Sequence, residues 1–438
     1  MFKTLQNAFK IKDIRDRLLY TFLMLVVIRI GSQLPIPGVK TTFFAELFAK
    51  QNNDAFGFFN TITGGSFTNM SVFALSITPY ITSSIIMQLL TIAIPKLEEM
   101  QREGEDGRKK IAEYTRYMTV GLALMQSIAM SVGFGGQGLL INYNAVSVIV
   151  AVAAMTSGSA MLMWIGERIT ENGVGNGISI VLLFNIISSL PSDMITLYER
   201  FLSGKSVAVG TVSAIIIAAV IGAVVVFVII LQDGIRNIPV QYSKKMQGRK
   251  MVGGQSSNIP LRVNTAGVIP VIFASSLMSF PVVIAQFFNV DYSTIGGKLL
   301  LVLSSNSWFR PERPWYSVGV VLYVVMIVLF AYFYTSITFN PLEIANNMKK
   351  AGGFIPGIRP GKPTSDYLNN ILNYIVFIGA CGLIVVCLVP IVISGLFNVS
   401  RLSFGGTSLI IIVGVVLETL KQIESKMVVR SYKGFLND

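Results

Sequence analysis

Long apolar segments separated by short charged ones run through the whole chain. Their bounds are 18–39, which only Arg29 interrupts, and then 55–95, 117–166, 172–192, 206–232, 263–290, 314–341, 367–400 and 402–417. A helix needs about 20 apolar residues to cross the hydrocarbon core of a bilayer. The segment 117–166 is long enough for two such helices, with a glycine-rich turn between them. If every other segment holds one, the pattern predicts ten transmembrane helices.

The positions of lysine and arginine decide how often the long segment 55–95 crosses the membrane. With one crossing, 26 of the 35 basic residues lie on one side, eight lie on the other, and Arg29 lies within the first helix. Cytoplasmic loops carry the excess of basic residues, so both termini are predicted to be cytoplasmic. Two crossings would place the six basic residues of 96–116 on the opposite side. We therefore predict one crossing, preceded by a folded-back segment at about 56–69 that protein or water must surround.

The composition supports a membrane protein and excludes several classes of enzyme. Of the 438 residues, 53% are hydrophobic and 13% are charged, against about 25% charged residues in soluble domains. The chain has no histidine, which excludes Ser-His and Cys-His nucleophiles and the usual zinc sites. Cys381 and Cys387 lie in one apolar segment. We predict that both are buried and inert, without a disulfide or a metal site.

The ten predicted helices fall into two sets of five, in residues 1–206 and 207–438. The second helix of each set contains the pattern Pro-x-Ile-x-small-Ser, which begins at Pro79 and at Pro270. Interrupted helices at matching positions of two halves are typical of inverted repeats, whose working site lies between the halves. The pattern therefore predicts a central site at the interface of the two halves.

The second predicted helix is rich in Ser and Thr and contains Gln88, but it carries no charge. Hydrogen bonds between packed helices explain such a pattern, and so does a water-filled cavity. Ion-coupled transporters usually place charged residues near the bilayer midplane, whereas Arg29 is the only charge within a predicted span. This argues against a secondary solute transporter with inverted repeats. The lack of histidine and of paired intramembrane aspartates argues against an intramembrane enzyme.

The formal net charge of +13 is compatible with binding to nucleic acid or anionic lipid, or with membrane orientation alone. Two long loops, 233–262 and 343–366, hold ten of the basic residues on the predicted cytoplasmic side. Long ordered loops usually carry function, so we interpret this surplus as a docking surface. A stiff double turn, Pro356–Gly361, holds Arg359 at its tip. Its glycine spacing and its prolines exclude a nucleotide-binding loop.

Six short segments give the chain a resemblance, over nearly its whole length, to the SecY family of bacterial protein-conducting channel subunits. They are Phe73–Ile81, Gly104–Lys110, Gly175–Ile180, Ala266–Pro270, Phe354–Gly361 and Phe404–Leu409. The resemblance implies an all-α polytopic membrane protein with ten transmembrane helices in two pseudosymmetric inverted halves around a central pore. Such a channel passes unfolded secretory proteins across the membrane. It also releases membrane segments sideways, through a lateral gate between helices 2 and 3 and helices 7 and 8.

The resemblance also implies roles for individual residues. The pore ring would be Ile77, Ile81, Ile178, Leu182, Ile272 and Ile411, where Leu182 replaces the isoleucine usual in the family. The plug of the outer funnel would be the segment at about 56–69, with Phe56, Gly64, Gly65, Phe67 and Asn69. The lateral gate would carry Gln88, Gln126 and Asn264. The docking surface for a motor or a ribosome would include Lys244, Lys245, Arg249, Lys250, Lys349, Lys350 and Arg359.

The implied partners follow from the same resemblance. They are the SecE and SecG subunits, the SecA motor ATPase, the ribosome, signal peptides, unfolded secretory chains and membrane lipid, but not DNA. The implied location is the bacterial cytoplasmic membrane. The channel would use no cofactor and catalyse no bond chemistry, because its energy would come from ATP hydrolysis by SecA or from translation.

Overall fold

The chain folds into a bundle of long helices with a small β region. The computed structural model describes residues 9–44, 46, 63–201, 207–242, 245–247, 250–252, 256–287, 294–304, 308–309, 314–397 and 406–434. The helices are α1 (Lys12–Gln33), α2 (Thr78–Ala93), α3 (Pro95–Arg102), α4 (Glu105–Gly133), α5 (Ala145–Asn172), α6 (Gly177–Phe201), α7 (Val207–Asp233), α8 (Ile269–Phe287), α9 (Ile295–Leu303), α10 (Val318–Thr338), α11 (Pro341–Lys350), α12 (Lys362–Phe397) and α13 (Gly406–Gly434). The strands are β1 (Ile235–Tyr242), β2 (Lys245–Gln247), β3 (Lys250–Val252), β4 (Ser256–Arg262) and β5 (Gly353–Phe354).

Ten of these helices occupy the positions of the predicted spans, in chain order. They are α1, α2, α4, α5, α6, α7, α8, α10, α12 and α13. Within the described residues, six helices are individually long and apolar enough to cross a membrane, and a seventh span results if the bent pair α2 and α3 is taken as one. That pair is bent by 106°, at the point where Pro95 begins α3.

The described residues before α2 form turns. Residues 64–77 contain no helix, and α2 begins only at Thr78. Ser71 forms an isolated bridge with Pro35, just beyond the end of α1. This part of the segment therefore lies along the bundle and adds no further helix to it.

The predicted helical fold is confirmed, and the two basic loops add short β-strands to it. β1 pairs antiparallel with β4 from Ile235 opposite Arg262 to Gln241 opposite Ser256. The short strand β5, which belongs to the second loop, pairs with the other edge of β1. A separate hydrophobic cluster joins this sheet to α11 and to the start of α12, with Ile238, Val240, Leu261, Met348, Ile355, Leu368, Ile371, Leu372 and Ile375 as its buried residues. The two loops thus form one folded unit, which we call the basic domain.

Three larger hydrophobic clusters hold the helices together. One lies within the first half and includes Phe44, Phe67, Phe134 and Met155. A second lies within the second half and is built from α7, α8, α10, α12 and α13. The third contains buried residues from α1, α5, α6 and α13 and therefore joins the two halves. The predicted interface between the halves is thus an apolar, packed region.

Ion pairs join helices at the end of the bundle that carries the basic domain, among them the pair of Arg116 on α4 with Glu167 on α5, at 2.7 Å. The Lys421 ammonium on α13 lies 2.6 Å from a carboxylate oxygen of Asp233 at the end of α7. Both side chains are about half exposed, so the pair contributes little to stability. Apolar contact therefore accounts for most of the helix packing.

Helix α5 approaches the turn before α2 so closely that only glycine fits. A Cβ atom on Gly158 would overlap the main-chain carbonyl of Val72. We expect Gly158→Val to lower the free energy of unfolding by about 1–3 kcal/mol or more, since overpacking forces the backbone to shift. The thermal unfolding midpoint of the purified protein measures this loss. Gly121→Ala on α4 is the control, because a Cβ there meets open space, and an equal loss in both variants would contradict the predicted packing.

The prediction for the cysteines is right for one residue and wrong for the other. Cys387 is buried in the second half, whereas Cys381 is exposed on α12. Six residues rotate a helix by about 240°, which carries Cys381 away from the packed face. An apolar sequence cannot distinguish these faces, because lipid accepts apolar side chains as readily as a protein core does.

Candidate pore and plug

The six residues predicted as a pore ring meet in one hydrophobic cluster. Ile77, Leu182 and Ile411 are buried there, and Ile81, Ile178 and Ile272 pack against them half-buried. They come from the turn before α2 and from α2, α6, α8 and α13, so both halves contribute. The cluster closes the interface between the halves with branched apolar side chains.

The starts of three helices position these side chains. Ile81 lies in the first turn of α2, after Pro79, and Ile272 lies in the first turn of α8, after Pro270. Proline favours the first turn of a helix because its φ is already helical and its missing N–H needs no partner there. The repeated Pro-x-Ile pattern therefore places one isoleucine from each half at equivalent positions.

Helix α6 is fixed by a polar cap and by a close glycine contact. The Asn176 side-chain oxygen accepts hydrogen bonds from the main-chain N–H groups of Ile178, at 3.1 Å, and Ser179, at 3.4 Å. Such caps satisfy the free donors at a helix start. A Cβ on Gly177 would overlap the carbonyl of Gly166 on α5. These contacts set the position from which Ile178 and, one turn later, Leu182 reach the cluster.

The described part of the predicted plug, residues 63–69, packs against α6 and the core of the first half. Gly64 is buried, with a φ of 62°, and Gly65 has a φ of 85°, so both glycines adopt conformations that other residues rarely take. Phe67 is buried, and its ring centroid lies 4.6 Å from that of Phe44. Asn69 is exposed. Phe56 lies outside the described residues.

The three residues predicted for the lateral gate do not share one environment. Gln88 on α2 and Gln126 on α4 are half-buried, on two helices that pack against each other. Asn264 is buried beside a small cavity whose other walls come from α10 and α12, both in its own half. Its Nδ2 atom has no hydrogen-bond partner in the described part of the chain. Asn264 lies in the turn between β4 and α8, where Gly379 on α12 approaches the neighbouring main chain.

A polar contact within the second half was not predicted from the sequence. The hydroxyl groups of Ser275 on α8 and Tyr323 on α10 lie 3.2 Å apart, within hydrogen-bond distance. This bond joins α8 and α10, which correspond to the seventh and eighth predicted spans. The gate prediction assigns these two spans to one side of the gate. Ser275 is the last residue of the Pro-x-Ile-x-small-Ser pattern. This repeated serine was the only sign in the sequence that the position makes a polar contact.

Asn185 on α6, and its contact with the turn residue Ser76, were not predicted from the sequence. Both are buried, and the Asn185 amide donates a hydrogen bond to the Ser76 hydroxyl over 3.0 Å. An isolated asparagine in the apolar run of a predicted span was the available clue, since buried amides need partners. Their contacts lie between the plug and the ring.

Basic residues of the predicted docking surface lie on the basic domain. Lys349 and Lys350 are exposed in the last turn of α11, where the helix dipole favours cations. Arg359 is exposed at the predicted turn, between glycines with φ of 82° at Gly357 and 103° at Gly361. Lys245 and Lys250 lie on the paired strands β2 and β3. Lys244 and Arg249 lie outside the described residues.

Comparison with known proteins decides the family. A sequence profile of the SecY family matches residues 71–420. The chain belongs to the SecY family. It is 44% identical to the protein translocase subunit SecY of Halalkalibacterium halodurans over 443 residues, and 42% identical to that of Bacillus subtilis over 447 residues, with complete coverage of both partners in each comparison. The predicted family is therefore confirmed.

Solved structures of SecY-type channels share the fold. One, described as a protein-conducting channel, has a TM-score of 0.62 at 18% identity and covers 95% of this chain and 93% of its own. Another, Sec61 in a canine ribosome–channel complex from the endoplasmic reticulum, has a TM-score of 0.60 at 17% identity with the same coverage. Together with the apolar helices, membership of the SecY family makes this a multi-pass membrane protein with a channel fold.

Proposed function

We propose that the chain forms the pore of a channel that carries unfolded secretory proteins across the bacterial cytoplasmic membrane. The observation that carries this proposal is the cluster of six ring residues between the halves, with the described part of the plug packed beside it on α6. The chain's relatives are named protein translocase subunits. A secondary solute transporter, the alternative considered from the sequence, has no comparable support.

The ring suits a path for peptides of any sequence. Branched apolar side chains offer a passing chain no fixed hydrogen bonds, and a narrow apolar constriction blocks ions by excluding water. In the resting state the ring and the plug together close the path. During transport the plug leaves its position on α6, and the ring surrounds the moving chain.

Lateral release of membrane segments would occur through a gate between two helix pairs, α2 with α4 and α8 with α10. α2 packs on α4, and α8 packs on α10, so each side of the proposed gate is a unit. Gln88 and Gln126 lie on the first side, and their polar groups favour closure until an apolar signal segment enters. Asn264 stays assigned to the gate as a proposal, acting across the small cavity that it lines together with Ala331 and Thr335 of α10.

The basic domain is the proposed docking site for the partner that supplies energy. Its positive charge suits an acidic protein surface or ribosomal RNA phosphates, which correspond to the SecA motor and the ribosome. The chain itself would catalyse no reaction and hold no cofactor. SecE and SecG are the proposed accessory subunits, and both termini lie in the cytoplasm by the positive-inside rule.

Reconstitution of the channel complex into lipid vesicles distinguishes protein translocation from the transport of small solutes. We expect vesicles that contain the purified channel complex to protect a labelled secretory protein from external protease when motor and ATP are added. Omitting ATP or removing the signal sequence should abolish protection. Ion-coupled uptake of a small solute by the same vesicles, without protection of the secretory protein, would instead support a transporter.

A further inference from the structure

The residue directly before Ile77 holds a backbone conformation that suits glycine. Ser76 has a φ of 51°, in the left-handed region where its Cβ crowds the neighbouring carbonyl. Ser76 is also buried, with 1% of its surface exposed. Because Ile77 follows at once, the conformation of Ser76 determines where this ring residue points.

Two helices hold the Ser76 turn through hydrogen bonds. The Asn185 Nδ2 group on α6 donates to Ser76 Oγ over 3.0 Å. The Ser159 hydroxyl on α5 donates to the main-chain carbonyl of Ser76 over 3.1 Å. Both donor residues are at most 5% exposed, and hydrogen bonds in such low-dielectric surroundings are stronger than those in water. The surrounding helices therefore keep Ser76 in its strained conformation.

The same turn of α6 also receives the plug. Gly64 packs so tightly that a Cβ there would lie 2.8 Å from the main-chain oxygen of Asn185. The Ser188 hydroxyl lies 3.3 Å from the carbonyl oxygen of Gly64 and 2.8 Å from that of Asn185, so its one proton is shared between these two acceptors. Asn185 thus contacts the plug through its main chain and the ring turn through its side chain.

We propose that Asn185 is a positioning residue that couples the seat of the plug to the pore ring. A shift of this α6 turn frees Gly64 and, at the same time, removes the hydrogen bond that holds Ser76. Ser76 can then relax from the left-handed region, and Ile77 moves with it. This inference rests on the proposed channel function and assigns a role to a residue outside both the ring and the plug.

Substitution of Asn185 tests the coupling. Asn185→Ala should raise the resting ion conductance of the reconstituted channel about tenfold, a change in keeping with the loss of one buried hydrogen bond from the closed state. It should also admit a secretory protein whose signal sequence is defective. Ser189→Ala is the matched control, because this buried hydroxyl on the same helix bonds to the Ile186 carbonyl within its own helix, and it should leave both measurements unchanged.

A second substitution separates positioning from general packing. Adding Ser76→Gly to Asn185→Ala should return the conductance toward the wild-type value, because glycine adopts this conformation without strain and no hydroxyl is left unpaired. If Asn185→Ala fails to assemble, Ser76→Ala removes the same hydrogen bond from the other side and should give the same increase. Unchanged conductance in the single variant, or an increase that Ser76→Gly does not reduce, would overturn the proposal.

The wild-type channel distinguishes the failure of this inference from the failure of the proposed function. Vesicles with the wild-type complex must transport an intact secretory protein. If they do and Asn185→Ala behaves like wild type, only the coupling is wrong. If wild-type vesicles transport nothing, the channel function itself is contradicted.

Discussion

Arg359→Glu is expected to reduce motor-driven translocation at least about a hundredfold while the channel still assembles. Arg359 is exposed at the tip of a turn on the basic domain, and reversing its charge places like charges against an acidic partner, which costs several kcal/mol. The fold does not depend on the side chain, since the hydrogen bond at this residue runs from the Thr364 hydroxyl to the Arg359 carbonyl, at 2.8 Å. Translocation rates and the amount of bound motor measure the loss.

Lys362→Glu provides the control for this charge reversal. Lys362 is also exposed on the basic domain, at the start of α12, and Lys362→Glu changes the net charge by the same amount. We expect it to slow translocation only slightly. Normal translocation by Arg359→Glu would remove Arg359 from the docking site, and equal losses in both variants would indicate a general charge effect.

The order of the spans could be predicted because charge is rare and costly inside a bilayer. Gaps between charged residues located the ten helices, and the imbalance of lysine and arginine argued that segment 55–95 crosses once. The repeated proline pattern placed Ile81 and Ile272 at matching positions of the two halves. These inferences depend on local composition, which a sequence displays directly.

The basic domain could not be predicted, because its contacts join residues that are distant in the chain. Nothing near Phe354 indicates that it pairs with Gln241, so the loops looked independent and the fold looked wholly helical. The exposed position of Cys381 was missed for a different reason. Lipid-facing and core-facing side chains are both apolar, and composition cannot tell them apart.

The environment of single polar residues was equally hidden from the sequence. Asn264 and Asn185 both lie in or beside apolar segments, yet one faces a small cavity in its own half and the other holds the Ser76 turn. Whether a side-chain amide forms a hydrogen bond depends on how the helices around it pack. A resemblance to a family could supply the ring by position, but it said nothing of Asn185.

Crosslinking of a translocating chain tests the central claim most directly. A secretory protein stalled during transport should crosslink to photoreactive probes at Ile81 and Ile272, which lie in the cluster between the halves. Probes at Ile215 and Ile230 on α7, which are 68% and 64% exposed, should not react with it. Crosslinks at both isoleucines and none on α7 are the predicted result, whereas the absence of a crosslink at either isoleucine would contradict the assignment of the pore.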